Sequence, residues 1–241
     1  MRHLKTFITA LSLCIAPLAH AGKAAYYQDA AARWDATRTL LTFMSTTNIK
    51  SKPTMVEVDF EKPDAKAKWV DGVLMLEQGT IKLAFSNDPK LNMGVAPELT
   101  QAPSLPIKTR SPLFGRQFLK QSRSEEGERY LTIYSNKPLV GLGAVAYNRT
   151  SNSCETTLPA EIYSGQDLST ATQLENKINA LPMKNKPGCA NQTGKVDIII
   201  ALASKQQGSE SDTFNYAVID LGSPQKQMSL DNLLFYFAPQ P

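Results

Sequence analysis

Strand-like patterning dominates the chain. Val56-Glu57-Val58-Asp59-Phe60 alternates apolar and polar side chains, the period of a strand with one buried face. Val73–Leu76 and Ile81–Phe85 are short apolar-rich runs on either side of Glu77-Gln78-Gly79-Thr80, which suits a hairpin turn. Further strands are predicted at Tyr130–Tyr134, Leu139–Tyr147, Leu158–Tyr163, Val196–Ala203, Phe214–Leu221 and Leu233–Ala238. Many short strands separated by turn-rich segments point to a mostly β fold, an antiparallel sandwich or barrel rather than an α/β protein.

Helical signal is confined to two places. In Ala24–Met44, Ala30, Trp34, Leu41 and Met44 fall near one face of a helix; its threonine-rich second half, Thr37–Thr47, is equally compatible with a strand. In Ser169–Leu181, Leu174, Ile178 and Leu181 recur at spacings of four and three, which predicts a second short helix. Residues 95–128 break the strand rhythm. Pro97, Pro103, Pro106 and Pro112 confine pairing there to edges or loops, and a polar run, Gln121 to Glu128, follows. The stretch is either a linker between two domains of roughly 100 residues or an edge excursion within one sandwich, and the second is preferred.

The N-terminus changes the picture. Arg2 and Lys5 precede an apolar run from Phe7 to Leu18, and Ala19-His20-Ala21 is a small-x-small cleavage signal. Residues 1–21 therefore read as a secretory signal peptide, and the run is too short to cross a bilayer as a helix. Leu13 before Cys14 argues against a lipoprotein site. Residues 22–241 are the expected exported domain, with its place in the periplasm or at the cell surface and no stable membrane insertion. The 26 basic and 22 acidic residues become 24 and 22 once Arg2 and Lys5 leave, a balance that predicts no nucleic-acid partner.

Cleavage also removes both histidines, His3 and His20. A mature chain without histidine has no Ser-His-Asp triad, no Cys-His pair and no histidine metal site. No metal or cofactor motif is present, and an enzyme is not expected. Cys154 and Cys189 are the two cysteines left, an even pair in an oxidising compartment, and a disulfide between them is expected.

Other chemistry-bearing residues are better explained without a site. Lys108, Arg110, Arg116, Lys120, Arg123 and Arg129, interrupted by Leu113, Phe114 and Phe118, could meet a polyanion, yet Glu125, Glu126 and Glu128 offset the charge of what reads as a solvated loop. Asp59, Glu61, Asp64 and Asp71, or Glu161 with Asp167, could supply a glycosidase pair, but such acids are common on exposed sheets. Ser223-Pro224-Gln225-Lys226 has Ser-x-x-Lys spacing without its companion motifs. Asn148-Arg149-Thr150 and Asn191-Gln192-Thr193 fit N-glycosylation spacing, which matters only in a eukaryotic secretory pathway. Trp34, Trp69, Tyr26 and Tyr27 could stack on sugars but more often fill cores.

One segment, Leu158-Pro159-Ala160-Glu161-Ile162-Tyr163-Ser164-Gly165-Gln166-Asp167-Leu168-Ser169-Thr170-Ala171, resembles the strand–Gly–Leu-Ser-Thr region of colonisation-factor-type (alternate chaperone–usher) fimbrial subunits. Thr193-Gly194-Lys195 followed by Val196–Ile200 resembles their Gly-x-Val strand. The resemblance covers roughly 60 of the 220 mature residues. It implies an immunoglobulin-like sandwich completed by a strand from the next subunit, so other subunits would be partners through strand exchange. The donor would come from Lys23–Ser45. The expectation is an exported structural or adhesion protein, a fimbrial subunit or minor pilus component, with a surface glycan as a further candidate ligand. A periplasmic assembly chaperone and a carboxylate-dependent hydrolase are the alternatives.

Overall fold

The computed structural model describes residues 32, 34–43, 52–61, 67–88, 94–101, 117–121, 127–148, 159–174, 181–182, 196–203, 213–225 and 228–239. Within them the chain is the expected mostly β antiparallel sandwich. Helix α1 spans residues 34–43. The strands are β1 (Thr54–Val58), β2 (Ala67–Val70), β3 (Val73–Leu76), β4 (Thr80–Ser86), β5 (Glu98–Gln101), β6 (Gln117–Lys120), β7 (Glu128–Asn148), β8 (Ala160–Ser164), β9 (Thr172–Leu174), β10 (Leu181–Pro182), β11 (Val196–Ala203), β12 (Phe214–Gln225) and β13 (Met228–Phe237).

Tyr130–Tyr134 and Leu139–Tyr147, expected as separate strands, are two halves of the 21-residue strand β7. Its first half pairs with β4 and β12, and its second half with β11 and β13. Between them Pro138 cannot donate a ladder hydrogen bond, and Ser135 Oγ bonds the Lys137 carbonyl across the irregularity. The strand thus continues from one half-sheet, β2-β3-β4-β7-β12-β8-β9, into another built of β10, β11, β7, β13, β1, β6 and β5. All these pairings are antiparallel.

The main core lies between the halves. Ile81, Leu83, Phe85, Leu131, Ile133, Ile162 and Ile219 from the first half meet Leu142, Ala144, Ile200, Leu202, Leu233 and Phe235 from the second in one buried cluster. A second cluster covers the opposite face of the second half, where Trp34 and Leu41 of α1 pack with Val145, Ala201, Ala203, Leu234 and Tyr236. Burial on both faces explains why Leu139–Ala146, Ile200–Ala203 and Leu233–Phe237 read as near-continuous apolar runs instead of alternating. Gly143 lets the helix approach: a Cβ there would lie 3.0 Å from Leu41 Cδ1 and 3.4 Å from Trp34 Cη2.

Helix wins over strand at 37–43 because this segment has a sheet face to cover. Its threonines turn inward on the helix, with Thr39 Oγ1 donating to the Asp35 carbonyl (2.9 Å) and Thr42 Oγ1 to Arg38 (2.8 Å). Arg38 then ties the helix to β1 through Glu57 (2.7 Å). The expected helix at Ser169–Leu181 is corrected: Thr172–Leu174 is strand β9, pairing with β8. Its apolar spacing was outweighed by the open edge of β8, which these residues cap; residues 175–180 lie outside the described set.

The hairpin turn at Glu77–Thr80 forms, with Leu76 N donating to Gly79 O at 2.9 Å. A tighter one, Asp71-Gly72, joins β2 to β3 with both residues in the left-handed region (φ 48° and 81°). Of the proline-rich stretch, β5 and β6 pair with each other and β6 pairs with β13. Among the described residues no helix is long and apolar enough to cross a membrane.

Candidate functional site

Strands β4, β7, β12 and β8 turn one face to the core and the other outward, and the outward positions carry an unusual load of tyrosine. Register aligns Lys82, Tyr134, Tyr216 and Tyr163 in one cross-strand row. Thr132, Val218 and Glu161 form the next row, and Ser86, Tyr130 and Asp220 the one beyond. Tyr134 and Tyr216 have ring centroids 4.6 Å apart.

The segment 165–171 folds over part of this face. Gly165 starts it with φ 142°, a conformation that favours glycine, and a Cβ there would meet Ala171 Cα at 3.1 Å. Asp167 then caps its own turn, accepting from Ser169 N and Ser169 Oγ, both at 2.9 Å. Those two bonds, the backbone one first, hold the Asp167 carboxyl below its usual range. Tyr216 donates to the Gln166 carbonyl (2.8 Å) and Tyr134 to Gln166 Oε1 (2.9 Å). Asn215, buried, fixes the start of the segment: its Oδ1 accepts from Gly165 N and its Nδ2 donates to the Ser135 carbonyl. The result seats Leu168 on Tyr216 and Val218, three buried side chains bordered by Tyr130, Tyr134 and Tyr163.

Beside Leu168 a groove of about 540 Å³ opens, lined by Asn87, Asp88, Tyr130, Pro159, Glu161, Tyr163, Leu168, Val218 and Asp220. That is within the roughly 300–1,000 Å³ typical of small-ligand sites. Its charged lining residues are all carboxylates. At one end Arg129 holds Asp220 in a two-point ion pair, Nε to Oδ1 at 2.9 Å and Nη2 to Oδ2 at 2.7 Å. The same guanidinium lies 5.2 Å from the centre of the Tyr130 ring. This pairing with Asp220 raises the Arg129 pKa further. Along the other wall, Tyr163 donates its hydroxyl to Glu161 Oε2. Burial first, and then that bond, push the Tyr163 pKa up to about 12, so the phenol stays neutral and donating at ordinary pH.

Much of what the sequence singled out is away from the groove or outside the described residues. Cys154 and Cys189, residues 1–21, Tyr26, Tyr27, Asp64, Lys108, Arg110, Leu113, Phe114, Arg116, Arg123 and Asn191–Thr193 are outside the described residues. Of the basic cluster, Arg129 reaches the groove, whereas Lys120 lies on β6 and Phe118 is buried in the fold. Asp59 accepts from Glu61 N, Glu61 accepts from Gln117 N, and Asp71 makes a hairpin turn, so this acid group serves local structure. Glu161 lines the groove while Asp167 is spent on its turn. Ser223-Pro224-Gln225 belongs to strand β12, not to the helix that a Ser-x-x-Lys nucleophile uses. Trp34 is buried under α1, and Trp69 packs against the main core. Among the described residues no three potential metal ligands converge.

No family model matches the chain, and no curated protein matches it. Three solved structures are similar in outline. The K2 cleaved adhesin domain of Lys-gingipain aligns over 81% of this chain and 96% of its own at 11% identity, with a TM-score of 0.33. The catalytic domain of a GH87 α-1,3-glucanase in complex with nigerose aligns over 67% of this chain at 12% identity and TM-score 0.27. An arabinose-bound GH51 α-L-arabinofuranosidase aligns over 64% at 15% identity and TM-score 0.25. The chain spans 29% and 22% of those two enzymes. Likeness at these scores carries no functional argument.

Proposed function

We propose that this is an exported β-sandwich protein that works by binding, as an adhesion or assembly component at the cell surface or in the periplasm, with the outward tyrosine face as its contact surface. The observation that carries this reading is the groove of Tyr130, Tyr163, Leu168 and Val218 under a rim of Glu161, Asp88 and Asp220. Aromatic side chains with a polar tip supply large contact area at small entropic cost, which is why they concentrate in recognition surfaces. The signal-peptide pattern of residues 1–21 supplies the export part of the proposal.

The activity is proposed to be non-enzymatic. A glycosidase needs one carboxylic acid kept protonated opposite an ionised partner. Here Asp220 is one half of an ion pair with Arg129, and Glu161 accepts from the Tyr163 phenol on one oxygen, so the two acids do not form such an opposed pair. The finer proposal, drawn from the segment around Gly165, is a fimbrial subunit or minor pilus component. Residues 34–43 of the donor stretch are used in cis as α1, which leaves Lys23 to residue 33 for any exchange. The test is a gel of surface-sheared material from the native host, run with and without boiling and probed for the mature chain. A ladder that collapses on heating is expected of a strand-exchanged subunit. A single band in both lanes, with the protein confined to the periplasm, would remove the subunit reading and leave the assembly chaperone.

A further inference from the structure

The two walls of the groove have the same chemistry in different states. One wall sets the Tyr130 ring beside the Asp220 carboxylate, and the protein's own Arg129 lies between them, its guanidinium 5.2 Å from the ring centre and doubly bonded to the carboxylate. The other wall sets the Tyr163 ring beside the Glu161 carboxylate. Glu161 there has the neutral Tyr163 hydroxyl on Oε2, and among the described residues no cation pairs with it. Asp88 adds a third carboxylate to the lining; among the described residues no Lys or Arg is part of the lining itself, and Arg129 meets it only at the Asp220 end.

From this we infer that the groove is a receptor for a basic side chain, an arginine or lysine presented by a partner protein, which sits at Glu161 and Tyr163 as Arg129 sits at Asp220 and Tyr130. This rests on the reading of the tyrosine face as a protein-contact surface. Three physical terms favour a cation over an uncharged ligand. A ring face attracts a cation within about 6 Å of its centre. A carboxylate with one oxygen already satisfied keeps the other to accept a charge-assisted bond. Leu168 and Val218 form an apolar floor along which the aliphatic stem of a long basic side chain can lie. Arginine should outbind lysine, because its planar fork can meet Glu161 while its face lies on the ring.

The experiment uses the purified mature protein and acetyl-Gly-Arg-Gly-amide, with the citrulline peptide as its uncharged isostere and maltotriose as a neutral saccharide. Binding is read from chemical shifts of isotope-labelled tyrosine rings. The arginine peptide should move the Tyr163 and Tyr130 signals saturably, and the citrulline peptide should bind about tenfold more weakly or not at all. Glu161→Gln should weaken the arginine peptide by a similar factor, since it keeps an acceptor for the Tyr163 hydroxyl and loses only the charge. Arg129→Gln should bind at least as tightly as the native protein, because it exposes the second ring–carboxylate pair. Matching far-ultraviolet dichroism and melting of both variants establish that each is folded. Equal binding of the arginine and citrulline peptides, or saturable binding of maltotriose with none of the arginine peptide, would overturn the inference and leave the binding-protein reading standing. Silence of the tyrosine signals toward all three probes would overturn both the inference and the assignment of this face as the contact surface.

Discussion

The contact between Gly143 and Leu41 allows a double-mutant cycle whose sign is set by the geometry. Gly143→Ala places a Cβ 3.0 Å from Leu41 Cδ1, 3.3 Å from Leu234 Cβ and 3.4 Å from Trp34 Cη2. Alanine in a strand is worth about 0.5–1 kcal/mol over glycine, while overpacking a filled site costs about 1–3 kcal/mol. The net expectation for Gly143→Ala is a loss of about 1 kcal/mol. Leu41 is fully buried, so Leu41→Ala removes three carbons at about 0.8 kcal/mol each and leaves part of their volume empty, a loss of about 3–4 kcal/mol. Combined, the new methyl no longer meets Leu41 and occupies part of the space it left. The double variant should then lose only about 2–3 kcal/mol, with a coupling of about 2 kcal/mol in its favour. Urea unfolding followed by tryptophan fluorescence reads this, because Trp34 belongs to the same cluster. Additivity within about 0.5 kcal/mol would refute the docking of α1 on the second half-sheet.

Three further outcomes follow from the groove and its covering segment. Tyr163 holds its proton more tightly folded than unfolded, so its contribution to stability is complete below pH 10.0 and is lost as pH rises towards about 12; tyrosinate absorbance of native protein and Tyr163→Phe should differ by one late-titrating phenol. Asp167 has the opposite sign: its folded pKa is depressed, so the turn is favoured above the ordinary value of 3.8 and loosens as pH falls below it, which amide exchange at Ser169 and Thr170 would report. Gly165→Ala forces a side chain into a φ of 142° against Ala171, and should cost about 1–3 kcal/mol. Proteolysis of that variant should begin near residues 165–171, and cleavage unchanged from native would contradict the close approach.

Strand existence was legible because strands with one covered face alternate, as in Val56–Val58 of β1 and Ile81–Phe85 of β4, and because the doubly covered strands are short apolar runs bounded by turn-forming residues. What defeated the reading was context. Whether Thr37–Phe43 would be helix or strand depended on a sheet face 100 residues away, and Thr172–Leu174 became a strand because β8 offered an edge. β2 hid in Ala67-Lys68-Trp69-Val70, a hairpin arm whose best signal was the Asp71-Gly72 turn after it. The groove was half visible: Glu161 and Arg129 drew attention, but as members of linear charge clusters. The signal that locates it is the recurrence of tyrosine at outward positions, Tyr130 and Tyr134 on β7, Tyr216 on β12 and Tyr163 on β8, where a plain sheet carries Thr, Lys or Ser. Only the register brings Asp220 beside Tyr130 and Tyr163 beside Tyr216.

Strand β7 sets an order of events for the chain as it emerges from a ribosome, N-terminus first. Residues 54–148 are made while one neighbour of the first half of β7, β12, and both neighbours of its second half, β11 and β13, are still to come. Until Phe214–Phe237 has been made, both halves of β7 are missing ladder partners, and β1 lacks β13, its partner among the described strands. Such late, long-range closure slows folding and keeps apolar edges open in the meantime. A chain built this way closes its fold as a whole, because the longest strand gains its ladder partners only from the last strands to be made.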